Sequence, residues 1–242
     1  MYSILPQNSN INIHPIKAFN DNYIWLLKEG SNGIIVDPGD AKPVLKFLKE
    51  NNIDLVAILI THKHYDHIGG VTELIQHYPE VKIFGPKNNT FNFKYKTAKE
   101  GDIISILKTN IEFKVIETPG HTLDHIVYVD QSRLFCGDTL FACGCGRLFE
   151  GSHIEMFESL SKIASLKPNT KVYCAHEYTI KNIQFALTID PNNYKLNERY
   201  KKLKNLEITI PSLLKDELET NPFLRAKTSE EFKLIRMRKD VF

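Results

Sequence analysis

Residues 61–67 read THKHYDH, which places three histidines and one aspartate within seven positions. The stretch directly follows IDLVAILI (53–60), a continuous apolar run of the kind that forms a buried strand. The histidines are therefore predicted on a loop at the C-terminal end of a strand, where α/β proteins usually place their ligands. A solvated polar loop with unrelated histidines is the alternative, but so many metal-binding side chains in one loop favour a metal site.

The spacing within this loop indicates two metal ions rather than one. Side chains alternate along an extended chain, so His62 and His64 point the same way and can share an ion. The adjacent Asp66 and His67 diverge from that pair and suit a second ion. Zinc takes four ligands, and a catalytic zinc keeps one position for water, so both sites need ligands from elsewhere in the chain.

Three later segments, ETPGHT, CGDTLF and CAHEYT, offer the missing ligands at predicted strand ends. Asp138 has two carboxylate oxygens and can bridge two ions, while His121 completes the first site and His176 the second. A turn role is the alternative for the Gly-Asp pair of the middle segment. The remaining histidines are assigned to no metal, with a supporting role considered for the third: His14, His77, His125 and His153.

The order of predicted elements indicates two sheets packed face to face with helices outside, a fold of the α/β (α+β) class. Short strand-like segments and one helix, AKPVLKFLKENN, precede the histidine loop. A helix and a strand follow it, then a strand-rich centre, and then the helix HIEMFESLSKIASL and the strand TKVYCAHE. From Tyr178 onward we expect helices and no strand, so a boundary is placed near that residue.

Composition restricts the function further. The chain has 242 residues, of which 42% are hydrophobic and 25% charged, and its net charge is +2, so no overall field draws nucleic acid or an anionic membrane. No apolar run is long enough to span a bilayer, and the N-terminus lacks a secretory signal, so the cytoplasm is expected. The four cysteines form no CxxC pairs and are expected to be buried thiols: Cys136, Cys143, Cys145 and Cys174.

The segments THKHYDH, TPGHT, GDTLF and HEYT, in this order, resemble those of the metallo-β-lactamase superfamily. GDTLFACGCGRLFEG, HEYTIKNIQFA, NPFLR and the terminal RMRKDVF are similar to the glyoxalase II (hydroxyacylglutathione hydrolase) branch of it. The resemblance implies a four-layer αββα sandwich with a small C-terminal helical domain. Residues 1–177 would form the catalytic domain and residues 178–242 a helical domain that binds substrate.

The resemblance also implies a set of site residues. One ion would be bound by His62, His64, His121 and Asp138, and the other by Asp66, His67, Asp138 and His176. Asp66 would in addition orient the metal-bound hydroxide. Two divalent ions are expected, zinc in the first place, with iron and manganese as alternatives. Glutathione would be bound by residues that include cations for its two carboxylates: Arg147, Tyr178, Arg236 and Lys239.

Two positions depart from the pattern of many members of that branch. Phe149 stands where a second tyrosine is common, so a hydroxyl contact to the substrate is lost. Arg147 stands where a lysine is common, which changes the geometry of an anion contact.

The implied activity is that of a dinuclear metal-dependent thioesterase in methylglyoxal detoxification. It would hydrolyse an S-(2-hydroxyacyl)glutathione, S-D-lactoylglutathione in the family, to D-lactate and glutathione. The alternatives are another hydrolase of the metallo-β-lactamase fold, a sulfur dioxygenase, or a non-catalytic metal-binding module. We expect a monomer whose partner is this small molecule, with no nucleic acid and no membrane.

Overall fold

The first of two sheets contains the strand that leads into the histidine loop. The structure is a computed structural model that describes residues 11–87 and 91–242. Six strands form this sheet in chain order: β1 (Ile11–Ala18), β2 (Asn22–Glu29), β3 (Asn32–Val36), β4 (Asp54–Leu59), β5 (Lys82–Pro86) and β6 (Lys96–Ala98). The first three pair antiparallel, and β3 to β6 pair parallel. The C-terminal ends of β3, β4 and β5 therefore meet at one edge.

Both faces of this sheet are buried. Along β2, Trp25 and Leu27 pack toward the second sheet, whereas Ile24 and Leu26 pack toward helices, as the two-residue period of a strand requires. The helices on the outer face are α1 (Ala41–Glu50) and α3 (Val71–His77), with a single turn, α2 (Tyr65–Ile68), before the latter. The side chain of Asp40 accepts the Lys42 amide and caps α1.

The second sheet carries the remaining predicted ligands. Its strand order is β14 (Ser212–Leu213), β13 (Lys171–Cys174), β10 (Arg133–Gly137), β9 (Ile126–Val129), β8 (Glu112–Glu117) and β7 (Ile103–Ser105). A hairpin of β11 (Leu140–Phe141) and β12 (Gly144–Cys145) follows β10. Helix α4 (His153–Ala164) begins with a capping box of Ser152 and Glu155 and buries Met156 and Leu160. The prediction of two facing sheets with helices outside is confirmed.

The C-terminal part is helical, as expected, with one exception. Its helices are α5 (Thr179–Ile189), α6 (Tyr194–Leu203), α7 (Leu214–Thr220), α8 (Pro222–Arg225) and α9 (Ser229–Asp240). The prediction of no strand after Tyr178 is wrong, because β14 pairs with β13 and extends the second sheet. Two residues carry no periodicity that a sequence could reveal.

The prediction concerning a secretory signal falls on residues 1–10, which lie outside the described residues. Within residues 11–87 and 91–242, no helix combines the length and the apolar composition needed to cross a membrane.

Candidate metal centre

The predicted ligands meet at one edge of the sandwich because each follows the end of a strand. His62 comes after β4, His121 after β8, Asp138 after β10 and His176 after β13. All four side chains are buried. Polar side chains at that depth require partners, so their convergence is a functional arrangement to be explained rather than a surface accident.

The first donor group consists of His62, His64 and His121, whose ligand atoms all lie within 4.8 Å of one another. The Nδ1 atom of His64 is 3.1 Å from Nε2 of His62 and 3.0 Å from Nε2 of His121. Three imidazole nitrogens around one point are the ligand set that zinc and related cations accept. We call this trio the three-histidine group.

The second donor group consists of Asp66, His67 and His176, again within 4.8 Å of one another. An Asp66 oxygen lies 3.5 Å from Nε2 of His67 and 3.5 Å from Nε2 of His176. This mixed oxygen and nitrogen set also suits a divalent cation. We call it the aspartate group.

Asp138 lies between the two groups. Its Oδ2 is 3.4 Å from Nε2 of His121, and its Oδ1 is 3.4 Å from Nε2 of both His67 and His176. One oxygen thus faces each group, which is the placement expected of a bridging carboxylate.

Two donor atoms in the described part of the chain are also buried without a hydrogen-bond partner, as expected of atoms that ligate a cation. Within the described ranges, Nε2 of His67 and Oδ1 of Asp138 are buried without a hydrogen-bond partner. Such orphaned atoms are rare in native proteins, and a ligated ion satisfies both at once. The cluster can therefore hold metal, and its nitrogen and oxygen donors leave zinc, iron and manganese as chemically suitable ions.

Asp37 was missed by the sequence reasoning. Its carboxylate accepts hydrogen bonds from the amide and hydroxyl of Thr61, each at 2.7 Å, and from Nδ1 of His67 at 2.9 Å. Asp37 also lies within 4.8 Å of the ligand atoms of His62 and His67. Its hydrogen bonds to Thr61 and His67 occupy both carboxylate oxygens, so Asp37 supports His67 rather than facing a cation itself. Asp37 has φ +53°, a left-handed conformation that Asp tolerates better than most residues and that marks functional sites.

His125 is a buried support for His62 and Asp138. Its ring stacks on that of His62, with 4.6 Å between centroids and 18° between planes. Its Nε2 accepts the backbone amide of Asp138 at 3.2 Å, so Nδ1 carries the proton and faces Thr118 and Thr139. The supporting role considered from sequence matches this placement.

The charges of the groups differ. Burial lowers the pKa of His62 and of His121, which keeps these imidazoles neutral and ready to ligate. Burial also opposes protonation of His176, but Asp138, Asp21 and Asp66 outweigh it and raise the pKa of His176 to about 9. Burial alone would raise the pKa of Asp138. The nearby His67 and His176 outweigh burial and hold that pKa well below its usual range. The aspartate group is thus the more anionic environment.

The loop itself differs in part from the prediction. Residues 61–64 belong to no helix or strand, and Tyr65–Ile68 form the helical turn α2, which the sequence did not predict. His64 has φ −63° and ψ 145° and acts as the N-cap of that turn. The start of this helical turn after His64 separates His62 and His64 from Asp66 and His67, so the predicted division follows the boundary of α2 rather than side-chain alternation along an extended loop.

Of the four predicted substrate-binding residues, one lies beside the aspartate group and two lie beside Asp240 near the C-terminus. The ring of Tyr178 stacks on that of His176, with 4.8 Å between centroids. Arg236 is buried, donates to the Cys145 carbonyl at 3.1 Å and pairs with Asp240 at 2.8 Å. Arg147 is more exposed and lies 3.5 Å from the same Asp240 carboxylate. Asp240 therefore links the two arginines, a contact that the sequence did not reveal.

The fourth residue, Lys239, lies between aromatic rings. Its ammonium is 4.9 Å from the ring centroid of Phe185 and 5.1 Å from that of Phe242. Burial lowers the pKa of Lys239, and Arg236 and Lys181 lower it further, to about 8. Lys239 therefore keeps its positive charge below about pH 8 and loses it above that value.

Phe149 contacts the three-histidine group directly. Its ring meets those of His64 and His121 edge to face, at centroid distances of 5.5 and 5.2 Å. It is 61% exposed, so it forms an apolar wall beside the donors. The neighbouring Glu150 accepts the amide of Leu123 and pairs with Lys63 at 2.6 Å, which ties the loop of Phe149 to the histidine loop.

Solved structures share this architecture. ETHE1 from Myxococcus xanthus is 22% identical, with a TM-score of 0.71 over 96% of this chain and 90% of that one. A metallo-beta-lactamase from Staphylococcus aureus subsp. aureus COL is 19% identical, with a TM-score of 0.68 over 96% and 72% of the two chains. TTHA1623, solved in a di-iron-bound form, is 22% identical, with a TM-score of 0.64 over 87% and 100%. At these identities the likeness establishes the fold, and it confirms the predicted class.

Family profiles divide the chain in two. The Metallo-beta-lactamase superfamily matches residues 19–176, which include all seven predicted ligands. The Hydroxyacylglutathione hydrolase C-terminus matches residues 177–242. Both matches confirm the resemblance seen in the sequence. With the two donor groups at the strand ends, they establish that the chain belongs to the metallo-beta-lactamase superfamily and carries the C-terminal segment of its hydroxyacylglutathione hydrolase branch, glyoxalase II.

Proposed function

We propose that the protein hydrolyses the thioester bond of an S-(2-hydroxyacyl)glutathione, with S-D-lactoylglutathione as substrate and D-lactate and glutathione as products. The observation that carries this proposal is the contact between Tyr178 and His176. It places the segment that matches hydroxyacylglutathione hydrolases against a group of metal-binding side chains. A glutathione thioester anchored on that segment would have its acyl end beside the donors.

Two cations would be held by the side chains already described. The three-histidine group would bind one, the aspartate group the other, and Asp138 would bridge them. When bound, such cations ionise water near neutral pH and polarise a carbonyl. Zinc is the ion we propose, with iron and manganese as the alternatives to be distinguished by elemental analysis.

Asp66 is the carboxylate that would orient the attacking water. Its side chain is 40% exposed, compared with 10% for Asp138, so water reaches it from the opening of the site. One of its oxygens accepts a hydrogen bond from the side chain of Asn22 at 2.9 Å, which fixes the plane of the carboxylate. An oriented carboxylate acceptor aligns a water for attack on the thioester carbonyl.

The leaving group needs no dedicated acid. Attack by water forms the new carbon–oxygen bond and releases a proton to solvent, the carbon–sulfur bond breaks, and the electron pair of that bond leaves with the glutathione sulfur. A thiol has a pKa of about 8.5, so the thiolate departs readily and takes its proton from solvent. The cysteines are buried, and burial raises the pKa of each thiol, so none of them serves as a nucleophile.

Lys239 and Arg147 would bind the carboxylates of the glutathione moiety. The side chain of Arg147 is 57% exposed, and the pKa of Lys239 of about 8 leaves its ammonium charged below that pH and able to pair with a carboxylate. Arg236 is engaged by Cys145 and Asp240, so we assign it mainly to holding α9 in place. The proposed location is the cytoplasm, where four buried thiols remain reduced.

The decisive experiment measures thiol release from S-D-lactoylglutathione by the protein purified without added metal, with elemental analysis of the same preparation. We expect stoichiometric release of free thiol and about two ions per chain. His62→Ala should lower both the activity and the metal content, whereas His77→Ala, an exposed position on α3, should change neither.

Two further measurements separate the alternatives. Oxygen consumption with glutathione persulfide as substrate tests for sulfur dioxygenase activity. Hydrolysis of a β-lactam tests for another hydrolase activity of this fold. Release of no thiol from the glutathione thioester would refute the proposed function, and turnover of one of the other substrates would replace it.

A further inference from the structure

The turn between β1 and β2 is part of the metal centre, although its sequence contains no predicted ligand. Phe19 adopts φ +50° in this turn, and Asp21 and Asn22 follow it. A carboxylate oxygen of Asp21 lies 2.8 Å from Nδ1 of His176. The amide nitrogen of the Asn22 side chain donates to Asp66 at 2.9 Å. Two consecutive residues thus contact two of the three members of the aspartate group.

Backbone contacts hold the turn in register with this group. The amide of Glu177 donates to the Asp21 carbonyl at 2.9 Å, and the amide of Tyr23 donates to the Ala175 carbonyl at 2.7 Å. Asn22 forms an antiparallel bridge with His176 itself. The position of the Asp21 and Asn22 side chains is therefore set by main-chain hydrogen bonds that a side-chain substitution leaves in place.

The Asp21 contact determines which nitrogen of His176 faces the centre. Because Nδ1–H donates to the Asp21 carboxylate, Nε2 presents its lone pair toward Asp138, 3.4 Å away, and Asp66, 3.5 Å away. A carboxylate on the outer nitrogen fixes the tautomer and the ring orientation and makes the imidazole a stronger donor to a cation.

The two donor groups differ in these outer contacts. In the aspartate group, His67 donates to Asp37 and His176 donates to Asp21, both carboxylates. In the three-histidine group, Nδ1 of His121 lies 2.7 Å from the Arg147 carbonyl, and Nδ1 of His62 lies 3.0 Å from the Thr61 hydroxyl. Those acceptors are neutral. Asp21 therefore serves one of the two groups and not the other.

We propose that Asp21 and Asn22 are positioning residues that hold His176 and Asp66 for one cation of the pair. This inference rests on the metal centre of the proposed function but not on its substrate. Loss of Asp21 should weaken the affinity for one cation by about 10–100-fold, which is the usual effect of removing a carboxylate that hydrogen-bonds a metal-binding histidine. The affinity for the other cation should be unchanged. The side chain of Asp21 is 38% exposed, so its removal opens no core cavity.

The experiment measures the affinities of both cations, by competition with a chromophoric chelator and by elemental analysis after dialysis. Asp21→Ala removes charge and acceptor together, whereas Asp21→Asn keeps an oxygen that accepts the Nδ1–H but removes the charge. We expect a biphasic titration in which only one phase weakens, strongly for Asp21→Ala and partly for Asp21→Asn. Asp54→Ala is the matched control, since Asp54 is an exposed carboxylate paired with Lys108 and remote from the centre.

Thermal unfolding of the chelator-treated variants shows whether the fold is intact. Unchanged affinity for both cations in Asp21→Ala would overturn the inference, as would an equal loss at both sites. Partial rescue by Asp21→Asn distinguishes a positioning role from general damage. The test is independent of substrate, because a protein without thioesterase activity would still show the selective loss if the inference is correct.

Discussion

Lys239 is the residue at which the structure adds a pH dependence that composition does not contain. Its pKa is lowered to about 8 by burial and by Arg236 and Lys181, so its positive charge disappears as the pH rises through that value. Below that value the ammonium is present and can pair with a substrate carboxylate. Substrate binding should therefore weaken on the alkaline side.

The prediction is that KM for S-D-lactoylglutathione rises above pH 8 while kcat changes little. Lys239→Arg should abolish this rise, because a guanidinium keeps its charge throughout that range. Initial-rate kinetics across neutral and alkaline pH provide the measurement. Identical KM profiles for both proteins would show that another group causes the pH dependence.

At the residue scale, the sequence identified candidate metal donors that the structure brings together. These candidate donors lie in short segments that follow strands, and the histidine loop contains several of them within seven residues, so the local sequence was enough to identify them. Asp21, Asp37 and Asp240 were missed, because an aspartate in a turn or at a helix end has many ordinary roles. Their partners are distant in sequence, and only the folded chain identifies them.

At the level of elements, the turn after β3 determines where α2 lies. A Cβ at Gly39 would be 1.9 Å from the Asp66 carbonyl oxygen, far inside contact distance. The amide of Gly70 donates to the Pro38 carbonyl at 2.9 Å, which holds the two segments together. Only a glycine permits this approach, and the approach sets the position of Asp66.

We expect Gly39→Ala to displace α2 and to lower the free energy of unfolding by about 1–3 kcal/mol. The displacement should also weaken the binding of one of the two cations. Gly85→Ala is the control, because the nearest atoms to its added Cβ lie 3.4 Å away. Denaturant unfolding and metal analysis measure both effects. Equal behaviour of the two variants would mean that the turn and α2 are not coupled.

The elements themselves were predicted where periodicity or composition was strong. The apolar run before the histidine loop forms β4, and AKPVLKFLKENN forms α1. The turn α2 and the strand β14 were missed because they contain four and two residues, too few to show a period. Tertiary pairing, not local preference, creates β14.

For the whole molecule, a buried ion pair connects the C-terminal helices to the β11–β12 hairpin. Arg199 of α6 pairs with Glu217 of α7, with side chains 10% and 0% exposed. The other oxygen of Glu217 accepts the amide of Cys143 at 2.7 Å. Arg199 thus supplies the counter-charge for the buried Glu217 carboxylate, which holds the hairpin through the Cys143 amide.

Arg199→Ala should lower the free energy of unfolding by about 3–5 kcal/mol, because it leaves the buried Glu217 carboxylate without its counter-charge. Arg225→Ala, which breaks an exposed pair with Asp190, should change it by less than about 1 kcal/mol. The fluorescence of Trp25, which lies in the first sheet, and helical circular dichroism should be followed together. A similar small effect in both variants would show that the Glu217 contact is dispensable.

The sequence by itself determined the candidate donors, their placement after strands, the two facing sheets and the helical C-terminal part. These follow from local composition and periodicity, which act over a few neighbouring residues. Only the tertiary structure decided that Asp138 lies between two donor groups, that Asp21 and Asp37 orient two histidines, and that Tyr178 stacks on His176. Such contacts join residues from different strands and loops, and their distances are fixed only when the sheets and helices pack together.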